Sequence, residues 1–128
     1  MLLREIKKIS RYGKEGFEIH QRPVGSIMTI EFELNGQTFT ALNGGPLFQF
    51  NEAISLQVYC ENQEEIDYYW NKLSEGGDKS AQQCGWLKDQ YGLSWQIVPK
   101  KFDNVMKVLH QMKKLDIKGL KGAYELKK

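Results

Sequence analysis

Gly25–Leu42 reads GSIMTIEFELNGQTFTAL, and this stretch decides the fold class. Met28, Ile30, Phe32 and Leu34 alternate with Thr29, Glu31 and Glu33, the period of two that marks a strand with one buried face. Asn35-Gly36 comes next, followed by a second alternating run, Gln37–Leu42. Asn-Gly is the pair best suited to the two positive-φ residues of a type I′ turn, and a two-residue loop fixes the register of the strands it joins. Leu34 is thereby set opposite Gln37, Phe32 opposite Phe39 and Ile30 opposite Ala41. Glu31 opposite Thr40 and Glu33 opposite Thr38 form the other face. The spacing predicts a β-hairpin with one apolar and one polar side.

Working outward, Ile54, Leu56, Val58 and Cys60 alternate with Ser55, Gln57 and Tyr59 and read as a half-buried strand. A helix is expected directly after it: Asn62 is a good N-cap with Glu65 three residues on, and Ile66, Tyr69, Trp70 and Leu73 share one helical face. Gly76-Gly77 supplies the stop. Glu75–Gln83 reads as a polar, mobile loop, and Cys84–Asp89 and Leu93–Val98 as a strand pair closed by Pro99. From Asp103, the positions Val105, Val108, Leu109 and Met112 outline an amphipathic helix. Asp116 is the N-cap of a further helical turn, in which Gly119 and Gly122 each cost about 1 kcal/mol relative to Ala. At the other end, Arg4–Tyr12 carries Ile6 and Ile9 among charges and reads as an edge strand.

The 128 residues, 41% hydrophobic and 27% charged, have the composition of one globular domain. With 18 basic against 16 acidic residues the net charge is only +2, too little to recruit nucleic acid or an anionic membrane through a bulk field. Apolar runs long enough for a membrane span and the h-region of a signal peptide are both missing, so a cytoplasmic location is expected. Cys60 and Cys84 form no C-x-x-C pair and read as reduced thiols, Cys84 as a packing residue. His20 and His110 have no metal-ligand spacing around them and read as surface histidines. Leu42–Pro46 (LNGGP) lacks the Lys-Ser/Thr of a phosphate cradle, and no G-x-G-x-x-G occurs. A doubly wound nucleotide fold is therefore disfavoured, and no cofactor is expected. The lysines at 107, 113, 114, 118, 121, 127 and 128 are accompanied by a single aromatic, Tyr124, and read as a solvated face.

Asn43–Ser55 (NGGPLFQFNEAIS), Tyr69–Ser74 (YWNKLS) and Cys84–Pro99 (CGWLKDQYGLSWQIVP) closely resemble the PhnB-like branch of the glyoxalase/bleomycin-resistance, or vicinal oxygen chelate, superfamily, whose members are often labelled demethylubiquinone methyltransferases. The resemblance runs from about Ile9 to the C-terminal helix. It implies an α+β fold of paired βαβββ modules whose sheets curl around a cup, commonly assembled as dimers. Laid on this sequence it implies one domain over 1–128: a partial first module at 6–52, the second at 53–99 and a helical tail at 103–124. Members of the branch begin with a strand and a helix ahead of the segment that resembles Ile6–Gly13, where this sequence has only Met1–Glu5. The first module is accordingly expected to be truncated, leaving a sheet edge at Ile6–Tyr12 that a second copy would cover in a homodimer. Metal-using members carry His, Gln or Glu on the first and last strands of each module. Gln96 stands at the last-strand position here and Ala53 near the entry to the second module, so no catalytic metal is expected.

If the apolar faces turn toward helices, the opposite parity lines the cup with Glu31, Thr38, Thr40, Ser55, Gln57, Tyr59, Ser94 and Gln96, with Trp86 and Phe50 at its rim. The leading expectation is a metal-free binding protein for a small polar or aromatic metabolite. An alternative is a weak lyase or isomerase with Glu31 as general base and Tyr59 or Gln96 stabilising an enolate-like oxyanion. A third class is a ligand-free interaction module with an exposed apolar edge.

Overall fold

A computed structural model describes residues 4–100 and 112–126, with side chains through Gly122. The helix expected from Asp103, with Val105, Val108, Leu109 and His110, lies outside the described residues apart from Met112. The fold is mixed α+β and falls into two compact units, Met1–Phe48 and Gln49–Lys128, each with its own three-stranded sheet.

In the first unit β1 (Arg4–Arg11), β2 (Ile27–Leu34) and β3 (Gln37–Leu42) form an antiparallel sheet in the order β1-β2-β3. The hairpin has the register expected from Asn35-Gly36, including Phe32 opposite Phe39, Ile30 opposite Ala41 and Glu31 opposite Thr40. Both turn residues have positive φ, 49° and 83°, and the Phe32 and Phe39 rings stack with centroids 5.7 Å apart. Arg4–Arg11 is an edge strand, as expected, paired along β2. Its register shifts between Ile6 and Lys8, so Lys7 is the extra residue of a bulge, a common device for blunting an edge. Glu5 lies directly opposite Glu33, and the Lys7 ammonium offsets this repulsion by reaching both carboxylates, at 3.0 and 3.2 Å. The segment between β1 and β2, which suggests a plain Gly/Pro loop, holds a one-turn helix, α1 (Phe17–His20), bounded by positive φ at Gly16 and Gln21.

The second unit runs β4 (Ser55–Cys60), α2 (Gln63–Ser74), a 3-10 turn at Lys79–Ala81, β5 (Trp86–Lys88), β6 (Ser94–Pro99) and α3 (Ile117–Leu126). Its sheet has the order β4-β6-β5, with β4 parallel and β5 antiparallel to β6. The Asn62 side chain accepts from the Glu65 amide at 2.9 Å, capping α2 as its sequence implies. Asp78 likewise caps the 3-10 turn through the Ser80 amide, so part of the polar stretch 75–83 is ordered rather than an irregular loop. Asp89 shapes the β5–β6 turn: one carboxylate oxygen accepts from the Tyr91 and Leu93 amides and the other from the Trp95 indole.

One face of this sheet, through Val58, Cys60, Leu87 and Ile97, is buried together with Ile66, Tyr69 and Trp70 of α2 and with Leu115 and Leu120. The last two belong to the C-terminal segment, which is tied to the body by the Gln63 side chain. Gln63 Nε2 donates to the Leu115 carbonyl at 3.2 Å, and its Oε1 accepts from the Ile117 amide at 2.8 Å. Asp116 accepts from the Lys118 amide at the start of α3, the cap expected of it. Gly85 sits where a Cβ would be 2.9 Å from the Ile97 carbonyl oxygen and about as close to Leu115, so backbone and core side chain close over it only because the residue is glycine.

Candidate functional site

Alternation puts Ser55, Gln57 and Tyr59 of β4, Ser94 and Gln96 of β6 and Trp86 and Lys88 of β5 on the face of the second sheet opposite its core. The register brings them into rows: Ser55 beside Ser94, Gln57 beside Gln96, Trp86 beside Gln96 and Lys88 beside Ser94. Parallel in-register pairing of β4 with β6 is what lines up the two glutamines, and their amides are hydrogen-bonded across the strands.

The row is continuous. The Tyr59 hydroxyl donates to Gln57 Oε1 at 2.6 Å, Gln57 Nε2 donates to Gln96 Oε1 at 3.2 Å, and Gln96 Nε2 donates to Ser55 Oγ at 2.8 Å. Tyr59 is 61% exposed, and Gln57 is exposed while Ser55, Trp86 and Gln96 are half-buried. An aligned chain of neutral donors and acceptors at a water-facing surface can exchange its internal hydrogen bonds for those of a hydroxylated or carbonyl-bearing molecule at small net cost. The amide oxygen of Gln96, which stands where metal-using members of the resembled superfamily carry a last-strand ligand, already accepts from Gln57.

Ser94 departs from the rest of the face. It is 1% exposed, and its hydroxyl has no hydrogen-bond partner among the described residues. Beside it Lys88 forms a close ion pair with Glu52, and the Lys88 ammonium holds the Glu52 carboxyl below the usual carboxylate range. Sequence reasoning missed both charges. Lys88 shares the parity of Trp86 and could have been read from it, whereas Glu52 arrives from the irregular segment before β4 and carries no periodic signal. Phe50, in that same segment, is 60% exposed.

Three of the expected cup-lining residues belong to the first unit, Glu31, Thr40 and Thr38, the last opposite Glu33. Glu31 and Thr40 are cross-strand neighbours on the polar face of its sheet, where Lys8 pairs with Glu31 in register and the Ser10 and Thr29 hydroxyls are hydrogen-bonded. The thiols are unpaired with each other, and both titrate above the ordinary thiol range because of burial, Cys60 at about 11. Among the described residues, no group of three His, Cys, Asp or Glu side chains is close enough to hold a metal ion, and no helix is long and apolar enough to cross a membrane.

Residues 3–98 match the family model described as 3-demethylubiquinone-9 3-methyltransferase. The chain belongs to this PhnB-like family. A solved PhnB protein from Bacillus cereus is 36% identical, with a TM-score of 0.60 over 75% of this chain and 79% of that one. No curated protein matches the chain. The PhnB-like assignment agrees with the α+β architecture read from the sequence. The family description names methyl transfer, and a bound nucleoside methyl donor would require a cradle for its sugar and adenine. Among the described residues, the one strand-to-helix turn that leads into a long helix, from β4 to α2, carries Glu61 and Asn62 in place of glycines. Two amides of this turn are engaged, that of Glu61 by the Glu65 carboxylate and that of Glu65 by the Asn62 side chain. The β4–α2 turn therefore offers no glycine-lined cradle for such a donor.

Proposed function

We propose that this PhnB-like protein binds a small metabolite on the polar face of its second sheet, through Ser55, Gln57, Tyr59, Trp86, Ser94 and Gln96. The observation that carries the reading is the unbroken row from Tyr59 through Gln57 and Gln96 to Ser55, built from two adjacent strands and facing water. Convergent polar groups beside an aromatic ring are the usual composition of a small-ligand site. Trp86, next to Gln96 across the strands, supplies the apolar surface for a ring or carbon skeleton. Glu31 and Thr40 offer a second polar face in the first unit and are proposed as ligand contacts there. The ligand is bound without a catalytic metal.

The reading also includes a cytoplasmic location, supported by two cysteines that form no disulfide with each other, and a homodimer. The dimer is supported by the apolar face of the first sheet, where Ile6 and Ile9 stay 63% and 44% exposed alongside Phe32 and Ile30.

The test is native mass spectrometry of the freshly purified chain to capture a co-purifying small molecule, followed by titration of that molecule into the Gln57→Ala/Gln96→Ala double variant. Affinity is expected to fall by roughly tenfold or more, about 1.4 kcal/mol. A variant that binds as the parent does, with its fold intact by circular dichroism, removes the amide row from the site.

A further inference from the structure

The first unit carries an open cleft of about 760 Å³ whose lining includes Arg11, Tyr12, Lys14, Ile19, His20 and Met28, with Ile19 85% exposed at its mouth. A volume of this order falls in the range of small-molecule sites, roughly 300–1,000 Å³. None of these residues belongs to the polar face proposed above.

Its inner wall is aromatic. Tyr12 is 8% exposed, and its ring lies against the His20 imidazole with centroids 4.6 Å apart. Phe17 meets the same imidazole edge-on at 5.6 Å. The tyrosine hydroxyl is already committed to the Asn43 carbonyl, so Tyr12 offers the cleft its ring. His20 is not the plain surface histidine suggested by its Gly/Pro-rich surroundings. Its Nδ1 accepts from the Arg22 amide at 2.9 Å, which puts the imidazole proton on Nε2. That nitrogen is buried and has no acceptor among the described residues. A buried donor left unpaired is uncommon and calls for an explanation, and an oxygen brought in by a ligand is one.

The cleft's charge selects the ligand's sign. Arg11 and Lys14 line it with one acidic residue, Glu15, an excess of one positive charge. Arg11 spends one guanidinium N–H on the Gly25 carbonyl at 2.9 Å and keeps the others. Ile19 and Met28 complete an otherwise apolar lining.

We propose that this cleft is a second binding site, for a small planar aromatic carboxylate. The ring of the ligand lies along Tyr12, Ile19 and Met28, a carboxylate oxygen accepts the unpartnered proton of His20, and Arg11 and Lys14 balance the charge. Nε2 is closed to water, so binding requires the residues around it to yield.

Benzoate, benzyl alcohol and acetate are titrated into the full chain, and the histidine and aromatic side-chain resonances are followed by NMR. Benzoate is expected to shift His20 and Tyr12 signals saturably and to bind about tenfold or more tighter than either the uncharged ring or the ringless anion. His20→Phe, which keeps a ring and removes the donor, is expected to weaken benzoate by about tenfold. Should that variant unfold, Lys14→Met on the exposed loop is expected to weaken benzoate severalfold and leave benzyl alcohol unchanged. Equal binding of all three probes, no binding at about 10 mM, shifts confined to the second unit, or variants that bind benzoate as the parent does would each overturn the proposal.

Discussion

Replacing Gln63 with Met removes a clamp and keeps the length of the side chain. In the folded protein this one amide serves both sides of the turn into α3, donating to the Leu115 carbonyl at 3.2 Å and accepting from the Ile117 amide at 2.8 Å. Each bond contributes about 0.5–1.5 kcal/mol net, and a buried group that loses its partner costs about 1–3 kcal/mol. Gln63 is half-buried, so water recovers part of that loss, and about 2 kcal/mol is the expected destabilisation. The Lys114–Asp67 ion pair at 2.8 Å spans the same junction but is too exposed to replace the clamp. The loss is local first: Leu115 and Leu120, both fully buried, depend on this segment staying docked. Urea unfolding should report the full change, and hydrogen exchange should show the Ile117 amide exchanging roughly 30-fold faster, the equivalent of about 2 kcal/mol. A Gln63→Met protein that unfolds within about 0.5 kcal/mol of the parent, with Ile117 exchange unchanged, would refute the claim that this side chain holds the C-terminal segment.

Ile97→Ala, at a fully buried position on β6, should lower stability by about 2–5 kcal/mol in the same urea experiment; a loss below 1 kcal/mol would mean that the sheet is loosely packed. Iodoacetamide at pH 8 should modify Cys84 before Cys60, because Cys60 is 1% exposed and burial raises its thiol to about 11; equal labelling rates would contradict both. The same raised thiol implies a stability contribution that is complete below the ordinary value near 9.0, where folded and unfolded chains are both protonated. It is lost as pH climbs toward about 11. Cys60→Ala should therefore flatten the alkaline limb of the stability profile, and an unchanged limb counts against that origin. Sedimentation over a wide concentration range should give a dimer that dissociates on dilution and that Ile6→Lys weakens; a monomer throughout would remove the proposed partner.

The hairpin was legible in the residues themselves because its information is local: Asn35-Gly36 sets the turn, the turn sets the register, and alternation assigns the faces. The same holds for α2, whose N-cap Asn62 and apolar positions Ile66, Tyr69 and Trp70 announce both its start and its buried side. Alternation also identified which side chains of β4 and β6 share the polar face, since parity survives any packing of the strands. It carried no information about which strand lies next to which. Only tertiary pairing aligned Gln57 with Gln96 and Ser55 with Ser94, turning separate polar residues into one hydrogen-bonded row. Other features depend on residues far apart in the chain. Glu52 finds Lys88 across 36 positions (88 − 52), and Gln63 grips Leu115 and Ile117 more than fifty residues on. The cleft of the first unit, by contrast, is built nearby in the chain, where Tyr12 after β1 meets His20 of α1. Local preferences decide conformation and facing within a few residues, whereas the choice of neighbours follows from burying the apolar faces of the whole chain, and that choice made the hydrogen-bonded row.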